Sequence, residues 1–503
     1  MQKIAMGAVQ DGLEHHEVKK LASLGSTGVN PQNCQRDLLQ WLKASMAELP
    51  EPLAMELPVQ NCREEVPEVK QLQVPYLPLH RMLRFMCQNT PAVFEERVTG
   101  GTGELRQFWD TVSSSNDPRW KLWGPILQKT ANWKDRCAPL ALHGDGVPVF
   151  KGKSMNVLSA NSLLGRGSTL DIKVMMCCYW SHLRHKSQTA EMDTEQAMWK
   201  YIMWDLNATF SGVFPGTDPL GNQWQQGSQA HELAFQPLMN GYWGIPWLLK
   251  GDLEYMALYM GLNHYSSLKP CFLCKADKAA LNFANLGPEA PWRNTAWKAA
   301  EWREAHPDCH PLFRFLGCSV HTVHCDILHT VSLGVAQQVA GNVLFYMIWH
   351  IFQGPFKRRL QKVWVEIEDF YNSTPGAQRI RRLTWAMFLP QVTAPKKHYP
   401  VISKLKAKET EWLARALQWV WAQHTDREDN VQVHITLVLN YLVEIYDHCT
   451  SAGFFLYCRA GFEFPAGLQQ PYGALAAPEQ MGTELWDQAL QHHAQVALFG
   501  SCG

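Results

Sequence analysis

The 503-residue chain has no excess of either charge: 46 Lys and Arg stand against 46 Asp and Glu. Basic arms, acidic tails and polyanion binding through bulk charge are thereby excluded, and any affinity for nucleic acid must come from local patches. Its first twenty residues contain no apolar run of seven or more, so no secretory leader is expected and the chain is read as intracellular. Fourteen cysteines are too few for a disulfide scaffold, which leaves metal binding, catalysis or burial in a reducing compartment. No repeat of fixed period is visible, and solenoids and propellers are set aside. The most membrane-like stretch, Leu333 to Phe352, carries Gln337, Gln338, Asn342 and His350 and reads as a buried helix. A phosphate loop is also missing: Gly146 and Gly152 are separated by five residues, Pro148 among them, where the motif requires four.

What is present is ordinary globular material, 46% hydrophobic and 18% charged, with 21 Trp that point to an aromatic core or platform. At roughly 150 residues per domain the length suits about three domains. Residues 1–135 read as mainly helical. Leu38 to Leu49 has helical periodicity, whereas Pro50, Pro52, Pro58 and Pro67 make Leu49 to Val69 look like a linker. From Pro139 the pattern changes. PLALHGDGVPVF suggests a strand with a tight turn at His143 to Gly146, and Ser168 to Leu183 is apolar and β-branched. Thr194 to Phe210 has helical spacing, and Gly244 to Asp252 resembles a strand ending on an aspartate. His15, His16, His492 and His493 have no neighbouring ligands and read as surface residues.

Asp145 and Asp252 each follow a short apolar segment beside glycine, where a strand can hold an exposed carboxylate rigidly. Such carboxylates bind Mg²⁺ or Mn²⁺, and phosphodiester-cutting sites place two ions about 3.5–4 Å apart. Turns also take aspartate for purely local reasons. Further on, Cys271 and Cys274 form a C-x-x-C whose sulfurs suit Zn²⁺; His329, with Cys325 or Asp326, would complete four ligands. His306, Cys309, His310, Cys318, His321 and His324 crowd the same interval. Between residues 357 and 408, twelve basic residues face three acids: Lys357, Arg358, Arg359, Lys362, Arg379, Arg381, Arg382, Lys396, Lys397, Lys404, Lys406 and Lys408 against Glu366, Glu368 and Asp369. Trp364, Tyr371, Trp385 and Tyr399 are interleaved, a composition that suits a DNA track and equally a basic face over core aromatics.

The pieces HGDGVPVF, GDLEYMALYMGLNHYSSLKPCFLC and HCDILHTVSLGVAQQVAGNVL together resemble the plant-type CACTA (En/Spm) transposases with an acidic DDE or DDD triad. The resemblance covers Pro139 to about Val420 and is loose between the motifs. It implies an α/β, mixed α+β fold: an RNase H-like five-stranded sheet with flanking helices, interrupted by a helical insertion that carries the C-x-x-C and D-x-x-H. The implied division is 1–135 helical, 136–265 first part of the core, 266–355 inserted zinc-binding subdomain, 356–425 basic track and last core helix, and 426–503 helical. Asp145 and Asp252 become the first two catalytic carboxylates. The third is expected on LKAKETEWLARALQWVW, at Glu409, with Glu411 next and Glu366, Glu368 and Glu444 weaker. Cys271, Cys274, Asp326 and His329 become the zinc ligands.

The expected chemistry is Mg²⁺- or Mn²⁺-assisted strand cleavage and transfer on double-stranded DNA by a nuclear protein, self-assembly left open and no membrane involved. The neutral charge and the lack of a DNA-binding motif in residues 1–135 keep a second reading, a decayed or domesticated copy that binds DNA or chromatin without cutting it. A zinc hydrolase is disfavoured, because two thiolates make the metal less acidic.

Overall fold

The computed structural model describes residues 6, 9–12, 15–23, 49–60, 68–150, 152–187, 189, 192–280, 285, 287, 289–387 and 400–451. The expected helix at 38–48, the basic residues Lys396 and Lys397, Tyr399 and everything after residue 451 lie outside this set.

The fold is mixed α/β, built on a seven-stranded sheet of order β1-β2-β5-β4-β3-β6-β7. The strands are β1 (Leu53–Gln60), β2 (Val69–Tyr76), β3 (Cys137–Phe150), β4 (Lys153–Ser162), β5 (Val174–Trp180), β6 (Trp243–Gly251) and β7 (Val323–Cys325). β3, β4 and β5 form an antiparallel meander, while β6 and β7 run parallel to β3 on its other side. A parallel strand covered on both faces should be apolar throughout. β6, WGIPWLLKG, is buried at every position except Lys250.

Helices α1 (Leu79–Asn89), α2 (Glu104–Ser113), α3 (Pro118–Leu127) and α4 (Thr194–Ser211) cover the sheet. α4 starts where the Asp193 side chain accepts the Gln196 N–H and stops at Gly212, whose φ of 67° is the left-handed conformation glycine takes without strain. Tryptophans fill the core: Trp109, Trp123, Trp199 and Trp247 are fully buried. Trp109 donates to the Cys137 carbonyl at 2.8 Å, and Arg119 lies 4.8 Å over the Trp247 ring while pairing with buried Asp117. On α4, buried Asp205 accepts from Tyr76 Oη at 2.5 Å and from the backbone N–H groups of Leu79 and His80, binding the start of α1 to the sheet.

Two expectations about the first half of this module need correction. Within the stretch read as a linker, Leu53–Gln60 is a strand that pairs antiparallel with Val69–Tyr76. Pro58 is tolerated because β1 is the outermost strand, where a missing N–H costs no inter-strand bond on the free side. Similarly, His143 to Gly146 is no turn. β3 runs straight through it, and the reversal comes between Phe150 and Lys153.

The chain then leaves the sheet for a second core. α6 (Leu328–Ile351), α7 (Phe356–Ser373), α8 (Ala407–His424) and α9 (Asn430–Ser451) pack through Val343, Leu344, Met347, Val363, Ile367, Leu413, Leu417, Trp421 and Leu439. α6 is long and apolar enough to cross a bilayer, but over half of its apolar stretch is buried in this core, as its internal glutamines suggested. The helices Phe356–Ser373 and Ala407–His424 therefore belong to the helical core and do not add a last helix to the sheet. Tyr371 is buried there, and half-buried Trp364 and Trp385 pack against this core, so these aromatics contribute to it.

Candidate active site

β6 and β7 end side by side next to the middle of β3, and each of the three strands leads to an aspartate. His143 is opposite Lys250 in the β3–β6 register, and Gly251 is opposite Cys325 in the β6–β7 register. Asp145 thus sits two residues beyond one pair, Asp252 directly after β6, and Asp326 directly after β7, its N–H donating to the Gly251 carbonyl at 3.4 Å. Ligands of open α/β sheets gather at such strand ends.

Two glycines permit this approach. A Cβ on Gly144 would lie 1.9 Å from Cζ of Tyr255, and one on Gly251 would lie 3.0 Å from the Gly144 carbonyl oxygen. Tyr255 belongs to the short helix α5 (Leu253–Leu258), whose first turn is capped by Asp252: Oδ1 accepts the Tyr255 N–H at 2.5 Å. The ring packed against Gly144 therefore fixes the backbone that aims Asp252.

The three carboxylates are in different states. Burial first, and the charge of Asp252 next, push the Asp145 carboxyl above its ordinary value; Asp326 adds to this while His329 and Lys173 oppose it. Asp145 takes no hydrogen bond from a described residue. Asp326 is fully engaged by its own loop, Oδ1 accepting the His329 N–H at 2.6 Å and Oδ2 lying 2.7 Å from His329 Nδ1. Burial would raise the Asp326 carboxyl, but these bonds to His329 hold it below its usual range. The same bond raises His329.

Positive charge lies close by. Half-buried Lys173 immediately precedes β5, and Lys250 is the one incompletely buried residue of β6. Burial lowers both ammoniums, Lys250 to about 8 with Lys173 as a second cause, and both feel Asp326. His143 is pushed down to about 4 by burial and then by the two lysines. The cluster thus combines three acids, two lysines and two histidines.

Asp145 and Asp252 lie near enough for the charge of one to be felt by the other, whereas Glu409 stands elsewhere. At the third position of α8 its Oε2 accepts the Lys406 N–H at 2.8 Å, capping its own helix in the second core. Glu411 pairs with Lys408 and Arg415, Glu366 with His424, and Glu444 with His448. The acid that joins the site is Asp326, read from sequence as a zinc ligand.

The expected zinc set is correspondingly divided. Cys271 and Cys274 are buried with Ala276, Ala290 and Trp292, and the Cys271 thiol donates to Cys274, which raises the first thiol and lowers the second. Asp326 and His329 stand at the acidic site instead. Among the described residues no group of three or more His, Cys, Asp or Glu is drawn together tightly enough to hold a metal ion.

Of the basic run, Lys357, Arg358, Arg381, Arg382, Lys404, Lys406 and Lys408 are exposed, Lys408 against Glu411. Arg359 turns back to the carbonyls of Gly354 and Ile348. Sequence reasoning missed Lys173, Lys250 and the part played by His143. Lys250 had a signal, a lone charge in an apolar strand two residues before Asp252, where alternation puts both side chains on one face; Lys173 had none.

No family model matches the chain, and no curated protein is significantly similar to it.

Proposed function

We propose that the chain is a transposase-like, metal-dependent DNA-processing protein of the kind its CACTA-like motifs suggest. One observation carries the reading: Asp145 within β3, and Asp252 and Asp326 directly after the adjacent strands β6 and β7, are far apart in sequence yet close enough that the charges of the other two are felt at Asp145. The order β5-β4-β3-β6-β7, an antiparallel meander flanked by two parallel strands, supports an RNase H-like core extended by the β1–β2 hairpin.

As they stand, the described residues form no group of three tight enough to hold a metal ion, so a divalent cation would require these carboxylates to draw closer together. Asp145 and the second oxygen of Asp252 accept no hydrogen bond from a described residue, whereas each oxygen of Asp326 already has one bond to His329. When bound, Mg²⁺ or Mn²⁺ would lower the pKa of an attacking water and stabilise the leaving oxygen. The chain's own contribution is to hold Asp145 rigidly on the central strand, to aim Asp252 through the α5 cap, and to keep His329 beside Asp326 as a local proton donor or acceptor. Exposed Lys357, Arg358, Arg381, Arg382, Lys404 and Lys406 would neutralise backbone phosphates of duplex DNA. Zinc at Cys271 and Cys274 would need two further ligands from outside the pair.

Asp145→Asn and Asp252→Asn are expected to reduce Mg²⁺-dependent cleavage of duplex DNA to background while DNA affinity is kept. Equal nuclease activity in wild type and variants would sink the assignment. A second reading, a non-cutting DNA- or chromatin-binding descendant, is favoured by the hold of His329 on Asp326. It predicts DNA binding without cleavage at any Mg²⁺ or Mn²⁺ concentration.

A further inference from the structure

We infer that the helical core carries a site of its own, a cleft along α8 that takes an uncharged, planar nitrogen heterocycle of the nucleobase type. This goes beyond the proposed function and uses none of the residues of the acidic site. A cleft of about 470 Å³ is lined by residues of α7, α8 and α9, within the roughly 300–1,000 Å³ of small-molecule sites. Along α8, Trp412, Arg415 and Trp419 follow one another at intervals of three and four residues and so share a face. Phe370 of α7 and Asn440 of α9 add to the lining. The indoles differ in what they leave open. The Arg415 guanidinium lies 5.6 Å over Trp412, and buried Trp421 donates to Thr436 at 2.9 Å. Trp419, by contrast, is 41% exposed, with the Phe370 ring 6.0 Å away and tilted by 49°. A large open indole beside a second ring gives a flat ligand a surface to stack on.

The polar lining defines the edge of that ligand. Gln418 Nε2 donates to Asn440 Oδ1 at 2.9 Å, and the two side chains make no other hydrogen bond with described residues. Gln418 Oε1 is left as an acceptor and Asn440 Nδ2 as a donor, the complement that a base edge with adjacent donor and acceptor atoms satisfies. The Nε–H of Arg415 is shielded from water and has no acceptor among the described residues; a ligand acceptor would relieve the cost of that unmade bond. Charge argues for a neutral ligand. Arg415 pairs with Asp447 at 2.7 Å and with Glu411 at 3.5 Å, and Lys408 pairs with Glu411 at 2.7 Å, so two cations meet two carboxylates and no net charge is left to balance. A sugar ring, with hydroxyl groups around its whole edge, would find these carboxylates already taken.

The test titrates the full chain with adenosine, guanosine, cytidine and uridine by calorimetry, and with short single strands of each base in parallel. At least one base, free or in a strand, should bind with a Kd below about 1 mM. The two arms separate the sources: a base within a strand gains affinity over its nucleoside, and a free nucleoside does not. W419A should weaken the tightest ligand about tenfold or more, because the stacking surface is lost, and W419F should stay within about threefold of wild type. Q418A/N440A should lose about fivefold and flatten the preference among the four bases. If W419A fails to fold, Q418A/N440A decides alone. The site is overturned if wild type binds no nucleoside or strand at about 1 mM, if W419A or, in its absence, Q418A/N440A binds as wild type does, or if methyl glucoside binds as tightly as the best nucleoside.

Discussion

Gly144 governs the acidic site through a hydrogen atom where any other residue has carbon. A methyl group there would occupy the space of the ring of Tyr255, whose backbone N–H donates to the capping Asp252 carboxylate. Gly144→Ala should cost about 1–3 kcal/mol through overpacking and weaken Mn²⁺ binding as Asp252 is displaced. Combining it with Tyr255→Leu should recover part of both losses, a coupling that thermal melts and Mn²⁺ titration of the double-mutant cycle would measure. Additive losses would show that the ring is not the obstacle.

Glu195 offers a pH-dependent test at the same scale. It is fully desolvated on α4, where Tyr179 and Asn156 donate to Oε1 and Oε2 has no partner. Burial raises its carboxyl to about 7, against the partial relief of those donors and Arg184. The folded chain therefore holds this proton more tightly than the unfolded chain, so the contribution to stability is complete below about pH 4.5 and is lost as pH rises through about 7. Glu195→Gln carries no such dependence. Relative to wild type it should gain on the order of 3 kcal/mol between pH 4.5 and pH 8, read from urea unfolding at the two pH values; parallel curves would contradict a buried, protonated Glu195.

Among the elements, the start of α6 and the start of α8 compete for the role of third acid. Asp326 caps the first turn of α6 from the end of β7, whereas Glu409 caps α8 within the helical core. Glu409→Ala should lower stability by about 0.5–2 kcal/mol, the ordinary cost of losing a cap, and leave Mn²⁺ affinity unchanged. Asp326→Asn keeps the cap acceptor but removes charge, and should weaken Mn²⁺ binding if His329 yields the carboxylate to the cation. The reverse pattern would return the third position to Glu409. The β1–β2 hairpin teaches a related lesson: four prolines suggested a linker, but Pro58 lies on the strand at the open edge of the sheet, where its missing donor goes unneeded.

Across the whole molecule, the acidic site lies at the seam between two cores. Asp145 and Asp252 come from the sheet, and Asp326 and His329 occupy the passage from β7 into α6, which opens the helical core. The described part of the basic run belongs to the second core, in which Tyr371 is buried and half-buried Trp364 and Trp385 pack.

Much of the site was legible in order along the chain. The apolar run before Asp252 defined a covered parallel strand, and the period of Thr194 to Phe210 defined α4, because burial on two faces or on one stripe leaves a direct mark in the residue pattern. Those local signals also placed Asp145 and Asp252 at or beyond strands. Which acid completes the cluster was decided only by folding. Asp326 and Glu409 both follow plausible motifs, and no periodicity distinguishes a carboxylate at a strand end from one that turns back to cap its own helix. The same holds for Lys250: its place opposite His143 depends on strand order, a long-range pairing that local composition does not encode, because the hydrogen bonds that set it join segments many residues apart.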